Sequence, residues 1–167
     1  MAASLNERVL AAVAEAALRY YRLVLVVGPP GSGKTKALQE LAAATGAPLL
    51  NVNLCLCERL LELTSTQRAV RAPKTLAELV DAVSAEMVLL DNLEVLFSPA
   101  LALDPLRLLQ RLSRNRTIVA SWPGTLVEGR LSYAEPGHPE ARTYQNPDAV
   151  LVEAEMPEER LGSRAVS

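Results

Sequence analysis

The chain has few of the residues that would staple or metallate it. Cysteine is nearly absent: Cys55 and Cys57 stand two apart inside an apolar stretch. That spacing suits neither a secreted disulfide framework nor a zinc site, so buried thiols are expected. His138, the single histidine, sits in Pro-Gly-His-Pro-Glu and reads as a loop residue, since one histidine without clustered partners makes no metal site. Neither sign of charge dominates: 17 Lys and Arg against 19 Asp and Glu leave a net charge of -2. Binding of nucleic acid by bulk charge is thereby excluded, and only a local basic face remains open. No apolar run approaches the roughly 18 residues that span a bilayer. The N-terminus also lacks the basic start and apolar core of a signal peptide. A cytoplasmic protein with no membrane association is the expectation. Aromatics make up only 4% of the chain, but 50% of it is hydrophobic, enough for one largely aliphatic core.

Against this background one stretch stands out. Leu23 to Val27 is apolar on both faces, as a strand buried in a parallel sheet should be, and it runs into Gly28-Pro29-Pro30-Gly31-Ser32-Gly33-Lys34-Thr35. All fixed positions of a P-loop are met. Gly31 and Gly33 let the backbone turn its N–H groups inward, and the helix that follows near Lys34 aims its positive end at the same spot. Lys34 then reaches β- and γ-phosphates as a point charge, and the Thr35 hydroxyl suits a magnesium ion bridging them.

The chain before and after alternates helix and strand. Ser4-Leu5-Asn6-Glu7 is a capping box opening a leading helix over residues 4–20, whose apolar positions run to Ala17 and Tyr20. Leu38, Leu41 and Ala42 mark the inner face of the helix after the P-loop, which Gly46 ends. A second strand covers residues 49–53 and a helical stretch residues 54–63. Residues 64–74, with Arg68, Arg71 and Lys74, read as an exposed loop. Thr75 with Glu78 then makes a capping box for a short helix.

Met87-Val88-Leu89-Leu90-Asp91 is an apolar strand ending in a carboxylate, the place of a Walker B aspartate. At the carboxyl edge of the sheet Asp91 can hold magnesium opposite Thr35. Hydrolytic P-loop proteins place a water-orienting glutamate beside that aspartate. Here the next residue is Asn92, and Glu94, two further on, is the substitute. Asp104-Pro105 starts a helix whose Arg107 and Arg111 read as a solvated face. Arg114 and Arg116 could equally be a finger completing a neighbouring subunit's site. Ser121 ends a fourth strand, residues 117–121, at the nucleotide edge, where it can sense a γ-phosphate or position water.

Residues 122–148 are rich in Pro, Gly and Tyr and read as a loop-rich excursion with room for one short helix or hairpin, in which Trp122, Tyr133 and Tyr144 either anchor it to the core or face a partner. A last strand covers residues 149–152, and residues 153–167 form an acidic, loose tail. The whole predicts one α/β domain over residues 1–152. It is a three-layer P-loop NTPase fold with a five-stranded, mostly parallel sheet in the order 5-1-4-3-2, without a C-terminal helical lid.

Four segments together carry a resemblance: Val-Gly-Pro-Pro-Gly-Ser-Gly-Lys-Thr, Val-Leu-Leu-Asp-Asn-Leu-Glu-Val-Leu-Phe, Leu-Asp-Pro-Leu-Arg-Leu-Leu-Gln-Arg-Leu-Ser-Arg-Asn-Arg-Thr and Tyr-Ala-Glu-Pro-Gly-His-Pro-Glu. On these the chain resembles the BrxF family, small P-loop proteins of type 3 BREX phage-defence systems. The resemblance implies an AAA- or RecA-like subunit using ATP and Mg2+, homo-oligomeric, acting with other phage-defence proteins and reaching DNA through them or through local basic residues. Two functional readings stay open: a slow ATPase completed by its neighbours, and a nucleotide-gated interaction module with negligible turnover. A small-molecule kinase is the weaker third, because no arginine-rich lid is apparent.

Overall fold

The computed structural model describes residues 4–133 and 142–154. The Pro-Gly-His-Pro-Glu segment and nearly all of the expected acidic tail lie outside the described residues. Five strands form one parallel sheet: β1 (Leu23–Gly28), β2 (Leu49–Asn51), β3 (Met87–Asp91), β4 (Thr117–Pro123) and, last in the chain, β8 (Val150–Glu153). Their order is β2-β3-β4-β1-β8. This is the expected 5-1-4-3-2 arrangement, with all four pairings parallel.

The central strands β1, β3 and β4 are buried on both faces because helices cover both, whereas β2 and β8 at the sheet edges are partly exposed. Val24 and Val26 of β1 face a cluster with Val9, Leu38 and Leu41, from helices α1 (Leu5–Ala16) and α2 (Lys34–Thr45). Leu23, Leu25 and Val27 point the other way, into a larger cluster. There they meet α3 (Val52–Leu60), α4 (Ser65–Ala82) and α5 (Pro105–Leu112). The alternation along β1 is what separates the layers. Among the described residues no helix is long and apolar enough to cross a membrane.

Three local expectations of secondary structure need correction, and one of burial: Cys55 is only half-buried and Cys57 is exposed. The capping box at Ser4 is formed, but α1 ends at Ala16 and not at residue 20. Tyr20 is 65% exposed and lies outside the apolar face. The stretch expected as an exposed loop, residues 64–74, is the first half of α4. Its start is a second capping box: Thr64 Oγ1 accepts from the Gln67 N–H at 3.2 Å while Gln67 Oε1 accepts from the Thr64 N–H at 3.0 Å. Arg68 adds to it by donating to the carbonyls of Leu60 and Leu61 at the end of α3. Pro73 removes one ladder bond, yet the helix continues, because Ala72, Leu76 and Val80 are buried along one face. Thr75, expected as a cap, is buried in mid-helix.

The third correction concerns residues 122–148. Beyond the one short helix or hairpin expected there, β5 (Thr125–Val127), β6 (Arg130–Tyr133) and β7 (Arg142–Gln145) form a three-stranded antiparallel sheet. Glu128 and Gly129, both at positive φ, make the tight turn between β5 and β6. Trp122, fully buried, donates from its indole nitrogen to the Ser132 carbonyl and meets Phe97 edge-on at 5.0 Å between ring centroids. Phe97 stacks on Tyr133 at 3.9 Å, and Tyr144 closes the cluster against Trp122 at 5.7 Å. The aromatic residues of this region thus tie it to the main core.

Candidate functional site

The parallel strands deliver their carboxyl ends to one edge, and the sequence motifs meet there. Pro30, Gly31, Lys34, Thr35, Asp91, Asn92, Glu94 and Ser121 line one cleft of about 470 Å3. Gly33, Lys36 and Pro123 complete it, and sequence reasoning missed Lys36 and Pro123. The only signal for Lys36 is its place directly after Thr35.

The loop takes its shape from its glycines. Gly31 and Gly33 sit at φ +80° and +95°, the left-handed region that a side chain disfavours. Gly28 is glycine for a different reason. A Cβ there would collide with Ser32 Oγ and come within 3.1 Å of the Ala154 Cβ. Ser32 is buried, and its hydroxyl donates to the Pro29 carbonyl at 2.7 Å, folding the loop on itself.

Lys34, half-buried, donates to the carbonyls of Gly28 at 2.5 Å and Pro29 at 2.9 Å. Burial lowers its pKa from the ordinary lysine value, and the nearby carboxylates of Glu94 and Asp91 push back in the opposite direction. The ammonium is held by carbonyl dipoles alone. An incoming phosphate offers it a full negative charge.

The pairing of β3 with β4 sets Leu90 beside Ala120, so the next residues, Asp91 and Ser121, come together at the strand ends. Ser121 Oγ donates to Asp91 Oδ1 at 2.5 Å, and the Asn92 N–H donates to the same oxygen at 2.9 Å. Oδ2 keeps no hydrogen-bond partner among the described residues. A buried carboxylate with one free oxygen, together with the exposed Thr35 hydroxyl, fits a hard cation. Among the described residues no group of three or more His, Cys, Asp and Glu side chains could hold a metal. Magnesium would therefore take its other ligands from phosphate and water.

The Asn at position 92 has a backbone explanation. It lies at φ +56°, a conformation that Asn tolerates better than Glu does. The chain turns there, and Glu94 opens a 3-10 turn, Glu94–Phe97, on the wall of the cleft. A residue that the sequence did not flag holds this segment at both ends. Asn53, in the first turn of α3, donates its N–H to the Asn92 carbonyl at 3.0 Å, and its side-chain Oδ1 accepts from the Val95 N–H at 3.0 Å. No sequence signal marks it.

The arginines are not brought to the cleft. Arg114 and Arg116 lie before β4, at the amino edge of the sheet, and β4 separates them from Ser121 by several residues at about 3.3 Å each. Arg116 is consumed locally: it donates to the carbonyls of Val80 and Ala85 and pairs with Asp81 at 2.6 Å. Arg114 lies over the Tyr20 ring at 5.0 Å from its centroid, and its carbonyl accepts from Arg22. The sequence assigns them to a neighbouring subunit's site, and their distance from the chain's own cleft bears only on a role in cis.

No curated protein matches the chain. Among solved structures, C. elegans PCH-2 is similar at 18% identity and a TM-score of 0.47 over 93% of this chain. The chain spans 43% of that structure's length. Residues 24–105, from β1 through the Asp91 strand to the start of α5, match the family described as AAA, ATPase family associated with various cellular activities.

Proposed function

We propose that the chain is a P-loop ATPase of AAA type that binds magnesium ATP and turns it over slowly. The observation that carries this is the convergence of Lys34, Thr35, Asp91, Glu94 and Ser121 on one cleft. In this reading the P-loop backbone from Gly28 through Gly33 and the Lys34 ammonium bind the phosphates, and Thr35 and Asp91 hold the magnesium, which would supply charge neutralisation at the transferring phosphoryl group. Ser121 fixes the Asp91 carboxylate and stands where it can meet a terminal phosphate. Glu94 is the one carboxylate on the cleft wall free to orient water, because Asn92 has no basic group.

A second reading, a nucleotide-gated interaction module, is favoured by one observation. Glu94 is solvent-exposed and stands two residues beyond the usual position, and among the described residues no hydrogen bond or ion pair holds its carboxylate against a phosphate. The resemblance to small phage-defence P-loop proteins supports placing either activity in a BREX-type assembly, where a neighbour completes the site in a homo-oligomer or with partner proteins. Measuring ADP release across protein concentrations, with magnesium and with EDTA, separates the readings. Turnover per chain that rises with concentration and needs magnesium supports the ATPase. Tight ATP binding with no turnover at any concentration leaves the gated module.

A further inference from the structure

Away from the nucleotide cleft, α4 and α5 run side by side, and a groove follows their junction. It has two adjoining sections of about 290 and 320 Å3, which share Pro73, Leu108 and Arg111. The floor is apolar, with Ala77 and Leu112 continuing it. The walls are cationic: Lys74 from α4 faces Arg107 and Arg111 from α5. All three are exposed, and none forms an ion pair or a side-chain hydrogen bond among the described residues. The two carboxylates along the groove are already engaged, Asp81 by Arg116 and Asp104 by the Arg107 N–H and the Tyr144 hydroxyl. Glu78, exposed on α4, does not line it.

We infer that this groove docks the sugar–phosphate backbone of a nucleic-acid duplex. In a chain of net charge -2, three unpaired cations along one groove are a local concentration of positive charge, not a consequence of composition. Arg107 and Arg111, four apart on an eight-residue helix, are about 6 Å apart along its axis, close to two phosphate steps at about 3.4 Å of duplex axis per phosphate on one strand. The groove lining holds no aromatic side chain on which an unstacked base could lie, so a single strand gains nothing beyond charge. Contact restricted to phosphates positions the protein without reading sequence. None of these residues lines the nucleotide cleft, so the inference stands apart from the ATPase reading.

The test is binding of a short fluorescein-labelled DNA duplex by anisotropy, across a salt series, to the full chain and to Lys74→Ala/Arg107→Ala/Arg111→Ala. The full chain should bind at low salt, with affinity falling as salt rises. The triple variant should bind at least roughly tenfold more weakly, with a log–log salt slope flatter by about 2 to 3, since each lost phosphate contact removes about 0.9. An Arg107→Lys/Arg111→Lys variant keeps the charge and should stay within a few-fold of the unmodified chain. Circular dichroism melts establish that each variant is folded, and ATP affinity should be unchanged in all of them. Absence of duplex binding at low salt overturns the inference. So does an unchanged slope in the triple variant, or equal binding to vesicles of anionic lipid, which would make the groove a membrane contact.

Discussion

The two edges of the parallel sheet use charge in opposite ways. At the amino edge Arg116 is spent on Val80, Ala85 and Asp81, and Arg22 reaches the Arg114 carbonyl. At the carboxyl edge the Lys34 ammonium donates to two carbonyls, the Thr35 side chain has no hydrogen-bond partner among the described residues, and Glu94 is exposed on the cleft wall. Both edges are polar and both carry motif-like residues in sequence. What distinguishes them is satisfaction. A side chain whose hydrogen bonds close within the fold contributes to stability, whereas one left with unused valence is available to a ligand.

Substitutions at the two edges should therefore separate cleanly. The largest effect is expected from Glu94→Gln, which removes the cleft carboxylate not assigned to the magnesium ion. Turnover should fall by roughly 10² or more, with ATP affinity little changed. Asn92→Ala should slow turnover far less, and equal losses for the two would show that Glu94 has no part in chemistry. Lys34→Ala should weaken ATP binding by about 1.5–3 kcal/mol, the worth of a hydrogen bond to a charged group, while the thermal midpoint hardly moves. Calorimetry checks this, and unchanged affinity would remove the phosphate role. Thr35→Ala should lower affinity only when magnesium is present.

At the other edge the readouts exchange. Arg116→Ala should cost about 1–2 kcal/mol of stability in urea unfolding, because two carbonyls lose their donor, and it should leave ATP affinity untouched. The Asp81 partner is largely exposed, which discounts the ion pair itself. If Arg116→Ala spares stability but abolishes turnover, the arginine serves a neighbouring subunit's site and the contrast between the edges fails. The smallest effect belongs to Asn92→Gly. Relief of the positive φ should offset the added freedom of the unfolded chain, leaving stability within about 1 kcal/mol.

What could be read from the residues follows the same division. The central strands β1, β3 and β4 are largely apolar runs, and a run buried on both faces declares itself without knowledge of its partners. The P-loop and Asp91 are fixed by spacing along the chain. The meander of β5, β6 and β7 escaped because its strands are three or four residues long and half-exposed, and Pro and Gly nearby mimic a loop. The Glu128-Gly129 turn was its one local sign. The first half of α4 was hidden by Pro73 and by its basic residues, although Thr64 and Gln67 spell a capping box. The roles of Arg116 and Asn53 lie in contacts with residues some 30 to 40 positions away, which no local pattern encodes.

The closeness of Gly28 to Ala154 also bears on the order in which the protein forms. The Ala154 N–H donates to the Val27 carbonyl at 2.7 Å, and β8 flanks β1 along its length, so the strand that enters the P-loop is a central strand only once the last strand has docked. Until then β1 is an unpaired apolar edge, competent to pair with another chain. Closing this contact requires residues more than 120 positions apart in sequence to meet, a slow step in folding. The motif nearest the start of the chain is thus completed by a strand from its far end.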